Sequence, residues 1–317
     1  MEAGKTPVYG DFREPVLTDG LANGEVQVTV SAAALSNVVK SRASGAHYSS
    51  SGQLPFVVGV DGVGHLADGR RVYFVLPKAP FGSMSEKTVV RPSQCVFLPD
   101  ELDDVTAAAI ANPGMSAWAA LKERARLVAD ETVLVNGATG TAGRLAVQIA
   151  RHLGAKRIVA TGRNTEALKE AIALGADVII PLGECGAALE EALKEQFHGD
   201  GIDVVLDYLW GPSAEQIIVA GAKAGKDTVP VRFVQIGSVS GRDITLPSAA
   251  LRSSAITLMG SGIGSIPMDR IVKSIDELMQ ATVPAGFKVA TRTFPLSEVE
   301  YVWTATDSMP RIVFQMA

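Results

Sequence analysis

The sequence predicts an α/β protein of two domains, one built on a doubly wound parallel sheet of six strands and the other a smaller β domain. Three observations carry this. From residue 132 onward apolar β-branched runs alternate with helical patterns, an alternation that implies parallel neighbours joined by crossovers. The first such run ends in a glycine-rich turn, Gly137 to Gly143, that opens a helix. The first third of the chain has no long helical pattern and is instead glycine-punctuated and strand-rich. The division expected is a β domain over 1–112, completed by 282–317, and a nucleotide-binding domain over 113–281.

Taken in order, Glu25 to Val30 alternates valine with polar residues and reads as a half-buried antiparallel strand. Leu54 to Gly64, Gly69 to Leu76 and Ser85 to Val90 read as further strands with glycine breaks. A helix is expected from Asp103-Asp104, with acids at its positive end, an interruption at Asn112-Pro113-Gly114 and a resumption from Met115 to Lys122. Then come strand 132–135, helix 142–153, strand 158–161, helix 165–174, strand 177–180, helix 186–197, strand 203–207 and helix 212–223. Strands 231–236 and 256–259 and helix 268–280 complete the series. The tail gives short strands, 289–294 and 311–316, around a helix at 297–306, and is expected to rejoin the β domain. Strand 256–259 would end the parallel sheet and could pair with a second copy in a homodimer.

The chemistry concentrates at residues 132–164. Thr132 to Val135 is a run suited to a strand buried on both faces, and Ala142, Leu145, Ala146, Ile149 and Leu153 recur at helical spacing. Between them Gly137, Ala138, Thr139, Gly140, Thr141, Ala142 and Gly143 lack large side chains where a diphosphate would approach the backbone, so the helix N-terminus would face the phosphates. Small residues in such a turn can also serve packing alone. The end of the next strand sharpens the reading. Thr161, Gly162, Arg163 and Asn164 lie where an adenosine ribose would sit, and no acid is present to accept from two ribose hydroxyls. Arg163 offers a planar cation suited to a 2′-phosphate, so the expected cofactor is NADP(H).

Composition sets the outer bounds. The 317 residues are 47% hydrophobic and 20% charged, with 31 glycines and a formal charge of −5, which gives no basic field for nucleic acid. Two cysteines, Cys95 and Cys185, fall in different expected domains and fit a reducing compartment. No signal-peptide pattern or membrane-length apolar run is present, so a cytoplasmic protein is expected.

The order of pieces resembles the medium-chain dehydrogenase/reductase superfamily, in its zinc-free quinone oxidoreductase branch, over nearly the whole chain. The likeness rests on Pro55 to Gly64, on Phe81 to Glu86, on Leu98-Pro99-Asp100 and on Met115 to Leu121. It rests equally on the turn Gly137 to Gly143, on Leu174 to Asp177 and on Gly201 to Asp207. The resemblance implies an α/β fold with a GroES-like β domain plus a doubly wound six-stranded parallel Rossmann domain. Zinc-dependent relatives carry a ligating cysteine in the segment matching Leu35 to Val39 and a His-Glu pair matching Val60-Asp61. Here the first has no cysteine and valine stands for the histidine, so no metal is expected. Zinc-free relatives place an acid three residues after an asparagine, whereas this chain reads Asn37 followed by Lys40. The segment 62–71 is also shorter than the hairpin usual there.

In the family fold the nicotinamide lies in the cleft between domains, at the carboxyl ends of the parallel strands. Tyr208 and Leu209, Gly237 and Ser238, and Gly260 and Ser261 follow three of those ends and join the cofactor candidates, although each glycine is equally accounted for by a turn. Without a metal, hydride transfer suits an already electrophilic carbon, such as a quinone ring position or an enone or enal β-carbon. Candidate donors to the developing oxygen anion are Tyr48, Asn37 and Lys40, and the loop Gly45 to Gly52 is a candidate lid. The expectation is an NADPH-dependent, metal-independent oxidoreductase acting on a small-molecule quinone or enone. An NADPH-binding sensor or regulatory protein and a carbonyl or alcohol dehydrogenase are the alternatives.

Overall fold

A computed structural model describes residues 6–15, 24–47, 50, 54–183, 186–199, 201–305 and 310–316. The chain divides into two compact units, Met1–Asn112 with Val272–Ala317, and Pro113–Ile271. The first unit opens with β1 (Val26–Ala34), α1 (Asn37–Ala43), β2 (Asp61–His65), β3 (Arg71–Val75), β4 (Lys87–Val90) and β5 (Cys95–Phe97). Helix α2 (Asp104–Ala119) follows. The second unit holds β6 (Thr132–Asn136), α3 (Thr141–His152), β7 (Arg157–Gly162), α4 (Thr165–Ala173), β8 (Val178–Pro181) and α5 (Ala187–His198). It continues through β9 (Val204–Asp207), α6 (Gly211–Ala224), β10 (Val231–Gln235), α7 (Ser248–Arg252) and β11 (Ile256–Gly260). After α8 (Met268–Thr282) the tail forms β12 (Thr291–Pro295), α9 (Val299–Val302) and β13 (Arg311–Gln315).

The second unit is a six-stranded parallel sheet in the order β11-β10-β9-β6-β7-β8. Its central strand β6 is buried at every position, which is why Thr132 to Asn136 carries no exposed polar alternation. The winding reverses between β6 and β9, whose last residues Asn136 and Asp207 are in register. Such a reversal opens a crevice at the carboxyl ends of the two strands. Strand β11 occupies one edge of the sheet.

In the first unit seven strands form one sheet, in the order β12-β13-β1-β2-β3-β5 with β4 also on β1. The valines of β1 that face inward, Val28 and Val30, are buried while Thr29 is exposed. Strand β13 pairs antiparallel with β1, so the tail completes this sheet.

Local differences from the sequence reading have physical causes. Leu54 to Val60 is irregular and the strand begins only at Asp61, because Gly59 takes φ +109°, outside the extended region. Helix α2 runs unbroken through Pro113, where a break is expected from sequence. A proline removes one helical hydrogen bond. The turns around it, Ala107 to Ala111 and Ala117 to Leu121, are almost fully buried, and tertiary packing holds the helix across that gap. A π-helical stretch, Ala120–Ala125, extends it to Arg126 in the left-handed region. The short helices α1 and α7 and the three-residue strand β5 are too brief to show a periodicity in the sequence. The helix expected at 297–306 is confined to α9 and the 3₁₀ turn Leu296–Glu298 before it, with residue 306 outside the described residues.

Candidate functional site

In the parallel-sheet unit the turn between β6 and α3 is shaped by backbone contacts. Gly137 sits at φ +97°, and both its N–H and that of Ala138 donate to the Thr161 carbonyl, at 3.1 and 2.8 Å. A Cβ on Gly143 would lie 2.2 Å from the Gly137 carbonyl oxygen, so this glycine lets α3 close onto the strand. A Cβ on Gly140, by contrast, would meet nothing within 4 Å. Gly140 caps α3 without a side chain, which leaves the helix opening uncovered. A helix N-terminus holds N–H groups with no intrahelical acceptor and the positive end of the helix dipole. The turn therefore fits an anionic diphosphate: the backbone is accessible at Gly140 and closed on the protein side at Gly143.

At the end of β7, Arg163 is exposed and forms no ion pair with any described carboxylate. Asn164 caps α4, its Oδ1 accepting from the Ala167 N–H at 3.0 Å. Thr161 differs from expectation. Its side chain is fully buried and its hydroxyl donates to Asn136 Oδ1 at 2.7 Å, which directs it into the sheet and away from the surface. Gly162 is buried where a Cβ would meet Thr139 Cγ2 at 2.5 Å, a packing requirement.

Beneath the turn lies a polar knot that the sequence reading missed. Asn136 donates to Asp207 Oδ1 at 2.7 Å and to Ser213 Oγ at 3.0 Å, while Asp207 also accepts from the N–H groups of Leu209 and Trp210. Burial raises the Asp207 pKa, and the Asn136, Trp210 and Leu209 donors pull it back. The signal available was a lone polar residue ending each of two apolar strands. Of the remaining candidates, Leu209 packs over Gly137, within 3.0 Å of where its Cβ would stand. Tyr208 is buried, with its hydroxyl unpaired by normal geometry and its pKa pushed up by burial. Gly237 abuts the Tyr208 carbonyl. Ser238 and Gly260 are exposed, and the Ser261 N–H donates to Gln235 O at 2.8 Å.

In the first unit, Ser36 caps α1 through the Val39 N–H, which leaves Asn37 exposed at the helix start. Lys40 Nζ donates to the Ala305 carbonyl at 2.6 Å, tying α1 to the tail, and burial lowers its pKa. Tyr48 lies outside the described residues, as do Ser49, Ser51 and Gly52 of the candidate lid. A cleft beside α1 is lined by Val39, Arg42, Leu54, Phe56, Leu76 and Phe81, among others.

A second buried group was also missed. Asp61 accepts from the Tyr73 hydroxyl at 2.7 Å and has its pKa raised to about 6 by burial, against the opposing pull of that hydrogen bond and the Arg311 charge. Asp61 Oδ1 and Arg311 Nε and Nη2 are sealed from solvent without hydrogen-bond partners. Val60 brings no metal-binding side chain beside Asp61, and among the described residues no three of His, Cys, Asp and Glu are grouped to hold an ion.

This combination of a largely antiparallel β unit and a six-stranded doubly wound unit with a glycine turn at its switch point defines the class of a nucleotide-dependent dehydrogenase or reductase. The sequence profile of the family described as Zinc-binding dehydrogenase matches residues 142–281. A probable NADPH-dependent quinone reductase of Emericella nidulans is 28% identical over 346 residues, covering 95% of this chain and 94% of that protein. A phenolphthiocerol/phthiocerol polyketide synthase of Mycobacterium tuberculosis is 30% identical over 73% of this chain, which spans only 10% of that much longer protein. Among solved structures, the quinone oxidoreductase of Thermus thermophilus, also determined with NADPH, superposes with a TM-score of 0.79 at 25% identity, covering 96% of this chain and 95% of that one. Over nearly its whole length the chain is similar to the quinone oxidoreductase-like branch of the medium-chain dehydrogenase/reductase superfamily.

Proposed function

We propose that this chain is an NADPH-dependent, metal-independent reductase that delivers hydride to a quinone or to the activated C=C bond of an enone or enal. The observation that carries the cofactor choice is the exposed Arg163 guanidinium beyond β7, with no acid in 161–164 to receive a ribose diol. The glycine turn supports it, since Gly140 leaves the α3 N-terminus open to a diphosphate. The names of the Emericella and Thermus relatives agree with this reading.

In this reading the nucleotide supplies the hydride, and the chain's own residues bind and orient. The first turn of α3 neutralises diphosphate charge through backbone N–H groups, and Arg163 takes the 2′-phosphate. Asn164 keeps its amide N–H₂ for the ribose while Oδ1 caps α4. The Asn136–Asp207 pair holds the ends of β6 and β9 rigid below the site. Asn37, exposed and making no hydrogen bond through its side chain among the described residues, is the donor proposed for the oxygen that gains charge on reduction. Lys40, engaged with Ala305, orients α1.

The test is nucleotide titration. Arg163→Ala is expected to weaken NADPH binding by roughly 10–100-fold, the loss of one charge-assisted phosphate contact, while NADH binding stays as it was. Equal affinity for the two nucleotides in the wild type would sink the cofactor reading. Absence of NADPH consumption across a panel of quinones and enones would remove the reductase.

A further inference from the structure

The cleft beside α1 is walled by apolar and aromatic side chains, Leu54, Phe56, Leu76 and Phe81, with Arg42 as the charged residue among its described lining. Arg42 is only partly exposed and its guanidinium makes no ion pair or hydrogen bond among the described residues. No aspartate or glutamate occurs anywhere between Glu25 and Asp61, and the basic groups of that stretch are Lys40, Arg42 and His47. Where zinc-free relatives carry an acid three residues after the asparagine, this chain has Lys40. Phe81, also in the lining, lies 6.0 Å from the Arg13 guanidinium.

A cation withdrawn from water without a counter-charge is unfavourable unless a ligand provides one. Burial lowers the pKa of Arg42, and that of His47 falls through burial and the Arg42 charge. The same desolvation would strengthen an ion pair formed there with a bound carboxylate. A planar guanidinium presents two parallel N–H donors, the geometry of a carboxylate.

We propose that this cleft is where the substrate is recognised and that Arg42 selects enones or quinones carrying a carboxylate on a flat apolar body. The assignment rests on the reductase reading above and names its substrate class. Arg42 is a specificity-determining residue here, binding a group remote from the carbon that is reduced.

The experiment compares two probes of one skeleton, 4-phenylbut-3-en-2-one and its 4-carboxyphenyl counterpart, on the full chain saturated with NADPH. Both kcat/KM, from NADPH absorbance, and Kd, from titration calorimetry, are measured. The wild type is expected to favour the carboxylated probe by about tenfold or more, Arg42→Gln to bring the ratio of the two probes near one, and Arg42→Lys to keep part of the preference. A wild-type ratio near one in both readouts, or a preference that Arg42→Gln leaves intact, overturns the proposal. The wild-type ratio is read without any variant, so a variant that fails to fold does not rescue the idea. If the carboxylated probe binds through Arg42 while neither probe is reduced, the anion site stands and the reductase reading falls.

Discussion

Among the described residues two carboxylates are almost completely buried, one in each unit, and their surroundings differ sharply. Asp207 ends a parallel strand, and the turn that follows delivers the N–H groups of Leu209 and Trp210 onto it, with Asn136 adding a third donor from the neighbouring strand. Asp61 begins an antiparallel strand whose backbone pairs with β3, so only a side chain, the Tyr73 hydroxyl, reaches it. One of its oxygens and two nitrogens of Arg311 have no partner. The lesson is that a strand end opening into a turn can surround an acid with backbone donors, whereas a strand inside an antiparallel ladder has already committed its own. The first arrangement is a rigid tie and the second titrates within reach of mild acid.

That contrast can be broken at either end. The largest effect is expected for Asp207→Ala, which strands three donors at a cost of roughly 1–3 kcal/mol each, partly relieved by rearrangement, for a loss of about 4 kcal/mol in thermal unfolding. A loss below about 1 kcal/mol would show that the knot is not a structural tie. Next comes pH. The Asp61 pKa is about 6 against an ordinary 3.8, so the folded state holds more protons between those values and this group's contribution to stability falls as pH rises through the window. The fall is about 2 kcal/mol between pH 4 and 6. Asp61→Asn cannot titrate, and its melting temperature should be flatter over that range than that of the wild type. Parallel pH profiles for the two proteins would mean that Asp61 is an ordinary carboxylate. The smallest effect is expected for Tyr73→Phe, which removes the one donor to Asp61 and should cost about 2 kcal/mol at pH 7 and less at pH 4, where the acid is protonated. A cost independent of pH would assign Tyr73 a packing role alone.

Much of the fold could be read directly. The run Thr132 to Val135 announced a central parallel strand because burial on both faces leaves no room for polar alternation. Gly137, Gly140 and Gly143 announced the turn that follows, but not their separate duties. Only the packed fold shows that Gly143 is closed by backbone and Gly140 open. Thr161 illustrates the limit at a candidate site. Its position at a strand end suggested a surface donor, and only the neighbouring strand's Asn136 decided that it points inward.

By itself, then, the sequence determined what is local: the period of each element, the side-chain-poor turn, the cation at Arg163 and the missing acid beside it. These are properties of residues a few positions apart, where backbone geometry fixes the outcome. Tertiary structure alone decided the groupings of Asn136 with Asp207, of Asp61 with Tyr73 and Arg311, and of Arg42 with Phe56 and Phe81. Their members are separated along the chain, and whether a buried charge meets a partner depends on which strands and loops the fold sets side by side.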